Sequence, residues 1–181
     1  MHDDQPAQHA AAPTSGIPTG AACNGAAPVD IAFVRAGARA LYAQGQEDFL
    51  APATSQSAGM DLRACLDVPE AVIPAGGRLK VCTGISVQPR MEGIAGFVYS
   101  RSGLGARDGI TVAQGVGIID PDYTGEILVF LLNTSGQERR IQNGERVAQL
   151  IFQSFVRPRW REVTELSATE RGSGGFGHTG R

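Results

Sequence analysis

The chain has 181 residues, a net charge of −2 and 42% hydrophobic residues. That is enough for one domain with a sizeable core, and the balanced charge gives no general attraction to nucleic acid or to an anionic membrane. No apolar run is long enough to cross a bilayer as a helix.

Cys23, Cys65 and Cys82 lack the even count and the Cys-x-x-Cys spacing of a disulfide framework or a structural zinc site. Asp3 and Asp4 sit where a secretory signal needs basic and then apolar residues. The expectation is a cytoplasmic protein with reduced cysteines.

Residues 1–28 are rich in Ala, Pro, Ser, Thr and Gly. Such a stretch buries too little surface to offset its ordering entropy, so a disordered leader is expected. From Val29 onward short apolar runs recur: DIAFVR, MDLRACL, RLKVCTGISV, GIAGFVYS, GEILVFLLN and RVAQLIFQSFV. They have strand length and are rich in Val, Ile, Leu and Phe. Residues 36–49 leave a turn of helix and a loop both open. The expected fold is all-β, a sandwich, jelly roll or barrel, with the domain over 29–168 and a glycine-rich segment over 169–181.

Several segments carry chemistry. In SAGMDLRA, residues 57–64, Gly59 precedes a strand bearing Asp61 between apolar neighbours. Aspartate is disfavoured on strands; contact with a metal-bound water and a local turn hydrogen bond both stay open. In YSRSGLGARDGI, residues 99–110, a cation, a hydroxyl and a bare backbone follow one another at Arg101, Ser102 and Gly103. A strand-to-helix junction of this kind binds phosphate through N–H groups and the helix dipole. A helix capped by Ser102 beside a surface arginine accounts for the same residues.

In QGVGIIDPDYTGEILVFLLN, residues 114–133, the segment Asp120 to Gly125 lies between two apolar runs and has the composition of a hairpin turn. Its aspartates either shape the turn or do chemistry. Gly115 and Gly117 leave the first strand bare, so a flat ligand can approach its backbone. In RVAQLIF, residues 146–152, alternation sends Val147 and Leu150 to Phe152 inward and leaves Arg146 or Gln149 as the polar exception. An ordinary strand with a satisfied glutamine reads the same way.

The chain closes on RGSGGFGHTGR, residues 171–181. Gly172 to Thr179 nearly match the P-loop pattern G-x-x-x-x-G-K-[ST], with His178 at the lysine position. A P-loop opens a helix, and no helix follows Thr179 here. The segment therefore reads as a flap that closes over a phosphorylated ligand held elsewhere, its glycines permitting the movement.

Taken in order, AGMDLRA, RSGLGARDGI, GVGIIDPDYTGEI, RVAQLIF and RGSGGFGHTG resemble the five sequence motifs of the trimeric dUTP diphosphatases. The likeness runs from about residue 29 to the last residue, and ordered motifs are far more specific than any single one. It implies a jelly-roll-like β-barrel assembled as a homotrimer with a mobile C-terminal arm. It also implies hydrolysis of dUTP to dUMP and diphosphate with Mg2+, at sites shared among three subunits. One subunit would supply the Asp61, Ser102 and Gln149 segments, a second the Asp120 hairpin, a third the flap. No nucleic-acid or membrane partner is implied.

On that resemblance, Asp120 would activate the attacking water and bind the 3′-hydroxyl, and Tyr123 would exclude a 2′-hydroxyl. The backbone at Ile118 and Ile119, with Leu128 on the return strand, would read uracil. Arg101, Ser102, Gly103 and Gln149 would hold the α- and β-phosphates, and Asp61 would touch magnesium through water. Phe176, next to Gly177, would stack on uracil, while Arg171, His178 and Thr179 would hold the γ-phosphate. Gln114 departs from the asparagine of many bacterial relatives in the uracil-facing strand, and Tyr99-Ser100 replace a common proline.

The related dCTP deaminases carry a catalytic glutamate where this chain has Phe130. Without that carboxylate there is no base for attack at cytosine C4. A non-catalytic nucleotide-binding module would lack Asp120 or the flap, and both are present.

Overall fold

Apolar side chains at every second position build the chain into strands. The computed structural model describes residues 27–43, 50 and 52–175. In chain order these form β1 (Val29–Phe33), helix α1 (Ala38–Ala43), β2 (Met60–Arg63), β3 (Glu70–Ile73), β4 (Arg78–Cys82) and β5 (Ile85–Pro89). They continue with β6 (Ile94–Ser100), a π-helical turn (Leu104–Asp108), β7 (Ile110–Val112), β8 (Gly117–Ile119), β9 (Leu128–Asn133), β10 (Arg139–Gln142) and β11 (Arg146–Ser154). The all-β expectation holds.

Four antiparallel sheets surround one core: β1-β5, β3-β10, β2-β11-β6-β8 and β4-β9-β7. Leu62, Ile73, Val81, Ile85, Ile127, Val129, Leu131, Val147 and Leu150 are buried within it. In β9 the alternation turns Val129 and Leu131 inward and leaves Leu128 and Phe130 exposed. In β11 a bulge between Arg146 and Ala148 buries Val147 and Ala148 side by side. The bulge restores alternation from Ala148 on, which puts Gln149 and Ile151 on the outer face.

One buried polar residue ties three segments together. Asn133 Nδ2 donates to the carbonyls of Ile73, Pro74 and Gln137, and its Oδ1 accepts from the Ser135 amide and hydroxyl. A fully enclosed amide is tolerated because its hydrogen bonds are met.

The open region at residues 36–49 resolves into α1 over Ala38–Ala43, with residues 44–49 outside those described. Ala38 and Tyr42, one turn apart, are its buried face. The Tyr42 hydroxyl accepts from the Arg63 amide at 3.0 Å, which fastens the helix to β2.

Four expectations are corrected. First, the strands flanking Asp120 do not pair as a hairpin: β8 joins β6, and β9 lies between β4 and β7. The return segment is captured instead by β5 and the β4–β5 turn. The Ile127 amide donates to the Ile85 carbonyl, and the Thr83 hydroxyl donates to the Ile127 carbonyl at 2.7 Å. Second, Ser102 does not cap the helical turn; the residue at the cap is Gly103, and no side chain bonds there. Third, Gln114 lies in the turn between β7 and β8, not in a strand. That turn closes through the Gly115 amide and the Val112 carbonyl, with Gly115 at φ +83°. Fourth, Ile151 is half-buried on the outer face rather than in the core.

Candidate active site

Three segments far apart in sequence meet on the outer face of the four-stranded sheet. The register sets Gln149 of β11 beside Asp61 of β2 and Tyr99 of β6. Together with the turn that follows β6, they wall a cleft of about 510 Å3 lined by Asp61, Arg101, Ser102, Gly103, Arg146 and Gln149. The β2, β6 and β11 segments expected to share a site thus converge within one chain. Arg146 also belongs there; alternation marks it as a polar exception but gives it no role.

Polar contacts organise the cleft. Asp61 Oδ1 accepts from Arg101 Nε at 2.7 Å, and Oδ2 accepts from Arg146 Nη1 at 3.1 Å. Two guanidinium groups share one carboxylate, so positive charge is in excess. Burial first, then the nearby Arg146 charge, lowers the pKa of the neighbouring Arg63 guanidinium below its ordinary value. The Gln149 amide donates to the Ser100 carbonyl at 3.0 Å. Beneath it Gly59 leaves room: a Cβ there would meet Gln149 Oε1 at 2.4 Å.

Gly103 is different. It has ordinary helical angles, and a Cβ there would meet nothing within 4 Å. Neither backbone strain nor packing in this chain calls for glycine at 103. A bare backbone there leaves space for a ligand against the first turn of a helix, where N–H groups are free.

Asp120 and Tyr123 do not line this cleft. They sit on the loop between β8 and β9, with the Tyr123 amide donating to the Asp120 carbonyl at 3.0 Å to close a turn that has Pro121 second. Both side chains are exposed. Tyr123 Oη donates to the Glu126 carbonyl at 2.8 Å, and the ring lies over Gly125, where a Cβ would come within 2.6 Å of Cζ. The Ser86 hydroxyl engages the carbonyls of Thr124 and Gly125 at 2.8 and 2.7 Å.

Next to this loop β8 is the last strand of its sheet among the described residues. Its outer N–H and C=O groups therefore remain free to pair with a ligand. Ile118 is exposed and Ile119 buried, so side chains on this edge alternate about an accessible backbone. Leu128 is exposed, but its backbone faces Cys82 of β4.

From residue 155 to residue 175 the chain runs without regular structure, and Trp160 and Leu166 are each 89% exposed. Arg171 folds back locally, its Nε donating to the Gly174 carbonyl at 2.9 Å. Phe176, Gly177, His178 and Thr179 lie outside the described residues. Cys65 is a buried free thiol and Cys82 a half-buried one; burial pushes the Cys65 thiol above its ordinary range. Among the described residues no group of His, Cys, Asp and Glu forms a ready-made metal cage, and no helix is long and apolar enough to cross a membrane.

An arginine-lined cleft on a small antiparallel β fold, with a carboxylate-bearing loop beside a free strand edge, defines a β protein built to receive an anionic ligand. Comparison with known proteins narrows it. A family model described as dUTPase matches residues 46–180. The deoxyuridine 5′-triphosphate nucleotidohydrolase of Enterobacter sp. (strain 638) is 43% identical over 129 residues, covering 71% of this chain and 84% of that protein. The chain belongs to the dUTPase family.

Among solved structures, the dUTPase of Staphylococcus bacteriophage 80alpha with dUPNHPP aligns with a TM-score of 0.72 at 21% identity, over 85% of this chain and 99% of that one. A variant of the dUTPase of phage phi11 of S. aureus, described as coordinating a structural Mg(II) ion, aligns with a TM-score of 0.64 at 17% identity, over 78% and 99%. Both share the fold.

Proposed function

We propose that this chain hydrolyses dUTP to dUMP and diphosphate by attack of water on the α-phosphate. Such a reaction removes dUTP from the nucleotide pool and supplies dUMP for dTMP synthesis. The observation that carries the reading is the cleft, which gathers Asp61, Arg101, Ser102, Gly103 and Gln149 in a chain of this family.

Phosphoryl transfer asks the protein for position and charge neutralisation more than for covalent chemistry. Arg101, the Ser102 hydroxyl, the Gly103 backbone and the Gln149 amide hold the α- and β-phosphates. Asp120 takes the proton of the attacking water and binds the 3′-hydroxyl. Its side chain is exposed on the loop, where a water can reach it. Tyr123, held by its hydroxyl to Glu126, packs on the sugar where a 2′-hydroxyl would stand. The free edge of β8 at Ile118 and Ile119 reads uracil with its backbone, with Leu128 and Gln114 flanking it. A 5-methyl group is rejected by overlap with that fixed edge.

The excess positive charge of Arg101 and Arg146 suits a triphosphate, and Mg2+ would enter with that substrate rather than on a ready-made protein site. Among the described residues Asp61 is the one carboxylate lining the cleft, and Mg2+ keeps its waters and binds through few carboxylates and the substrate phosphates. Asp61 would hold the ion through water. When bound, the ion neutralises charge on the triphosphate.

Because the Asp120 loop and the cleft do not meet in one chain, the complete site forms between copies of a homotrimer. Residues 29–168 form the β domain, residues 1–28 a leader, and residues 169–181 a flap. Arg171, His178 and Thr179 of that flap hold the γ-phosphate, and Phe176 with Gly177 covers the base.

The test is product analysis with dUTP, dTTP, dCTP and UTP in the presence of Mg2+. The expected outcome is dUMP and diphosphate from dUTP and little turnover of the others. Equal turnover of dTTP would reject the base-reading edge, and release of ammonia from dCTP would reject the reaction class.

A further inference from the structure

We propose that Arg35 is a positioning residue for the Asp120 loop, acting through Glu126; this rests on the dUTP-hydrolysis reading. Arg35 lies upstream of residues 46–180, the span matched by the family model. Its Nε donates to both carboxylate oxygens of Glu126, at 2.8 and 3.1 Å, across 91 residues of sequence. Glu126 Oε1 also accepts from the Gly84 amide at 2.8 Å.

The cradle is rigid. The Val34 amide donates to the Gly84 carbonyl at 2.8 Å, so the chain just before Arg35 is tied to the same glycine. Gly84 has φ +74°, and a Cβ there would meet the Ala38 Cβ at 2.5 Å, so α1 packs directly over it. Side chains with Cβ are strained in that conformation and have no space beside Ala38.

Glu126 passes this order on to the loop. Its carbonyl accepts the Tyr123 hydroxyl, and the Tyr123 amide closes the turn on Asp120. The Arg35–Glu126 pair is the better shielded of the two made by Arg35. The Glu126 side chain is 18% exposed, whereas Asp67, 3.4 Å from Arg35, is 91% exposed and contributes little. Without Arg35, Glu126 keeps, among the described residues, only the Gly84 amide as a fixed donor. The loop then samples positions in which Asp120 is misplaced relative to the phosphate cleft.

The experiment compares Arg35→Ala, Glu126→Gln and the double variant, by steady-state kinetics on dUTP and by hydrogen exchange in the full chain. Misplacement of a catalytic group predicts a kcat loss of about 10- to 100-fold for Arg35→Ala, with a smaller change in KM. Exchange at the Tyr123 and Ile127 amides should quicken while amides of β6 and β11 stay as they were. The double variant should lose little beyond Glu126→Gln alone, because both changes break one connection.

Unchanged exchange and kcat in Arg35→Ala overturn the proposal, as does a double loss equal to the product of the single ones. Should Arg35→Ala not fold, Arg35→Lys keeps the charge without the fixed fork. Unchanged loop exchange in both Arg35→Lys and Glu126→Gln then overturns it. A wild-type chain inert toward dUTP rejects the functional reading instead, while the exchange data still judge the clamp.

Discussion

The phosphate cleft and the Asp120 loop are held in opposite ways. In the cleft the lining side chains are tied down directly: Asp61 binds Arg101 and Arg146, and Gln149 reaches the Ser100 carbonyl. On the loop Asp120 is exposed, Tyr123 folds back over Gly125, and the backbone is held from behind through Ser86, Thr83 and the Glu126 carboxylate. The cleft is preorganised by its own chemistry. The loop is preorganised by residues with no chemistry of their own. Damage to the cleft should therefore appear first in substrate binding, and damage to the loop in the chemical step.

Asp120→Asn tests the loop most severely. The exposed turn retains its backbone hydrogen bond, so nucleotide affinity should hold while kcat drops by roughly 100- to 10,000-fold, the range for losing a general base. A near-wild-type rate in single-turnover assays would remove Asp120 from its role. Arg101→Ala tests the cleft. Loss of a charged hydrogen bond to phosphate should lower kcat/KM by about 10- to 100-fold, mostly through KM. An effect confined to kcat would blur the distinction between the two regions.

The smallest effect concerns the support of the cleft and appears only in alkali. Tyr42 is buried, and burial pushes its phenol up to about 12 from an ordinary value of about 10. Between those values the folded chain keeps a proton that the unfolded chain has lost. The stabilisation is complete below pH about 10 and is lost as pH rises toward about 12. Urea titrations of wild type and Tyr42→Phe at pH about 8 and about 11 should show a steeper loss in wild type, by about 1.4 kcal/mol. Parallel losses would mean that Tyr42 titrates like a free phenol.

Local pattern carried much of this structure. Apolar runs gave the strands from Val29 onward, and alternation in RVAQLIF left Arg146 or Gln149 as the polar exception; the structure turns both away from the core. What local pattern missed depends on distant partners. The segment from Asp120 to Gly125 has turn residues and does make a turn, but pairing of the flanking strands was decided elsewhere. Ile127 gains a buried place against Thr83 and Ile85, and Glu126 gains Arg35. Neither preference is written near Asp120. Arg146 was visible as a polar exception, but its role needed Asp61, 85 residues away. Ser102 looked like a cap because hydroxyls commonly are; here the helical turn admits it into its first residues instead.

Gly59 leaves a mark on how this protein can change over generations. Any side chain at position 59 would run into the Gln149 amide, so the two positions are not free to drift separately. A side chain at 59 would displace the amide from the Ser100 carbonyl; shortening 149 opens the space but gives up the amide. The constraint runs one way: the Gln149 amide sets what position 59 can hold, and a library that varies 59 alone would record an intolerance whose cause lies on another strand.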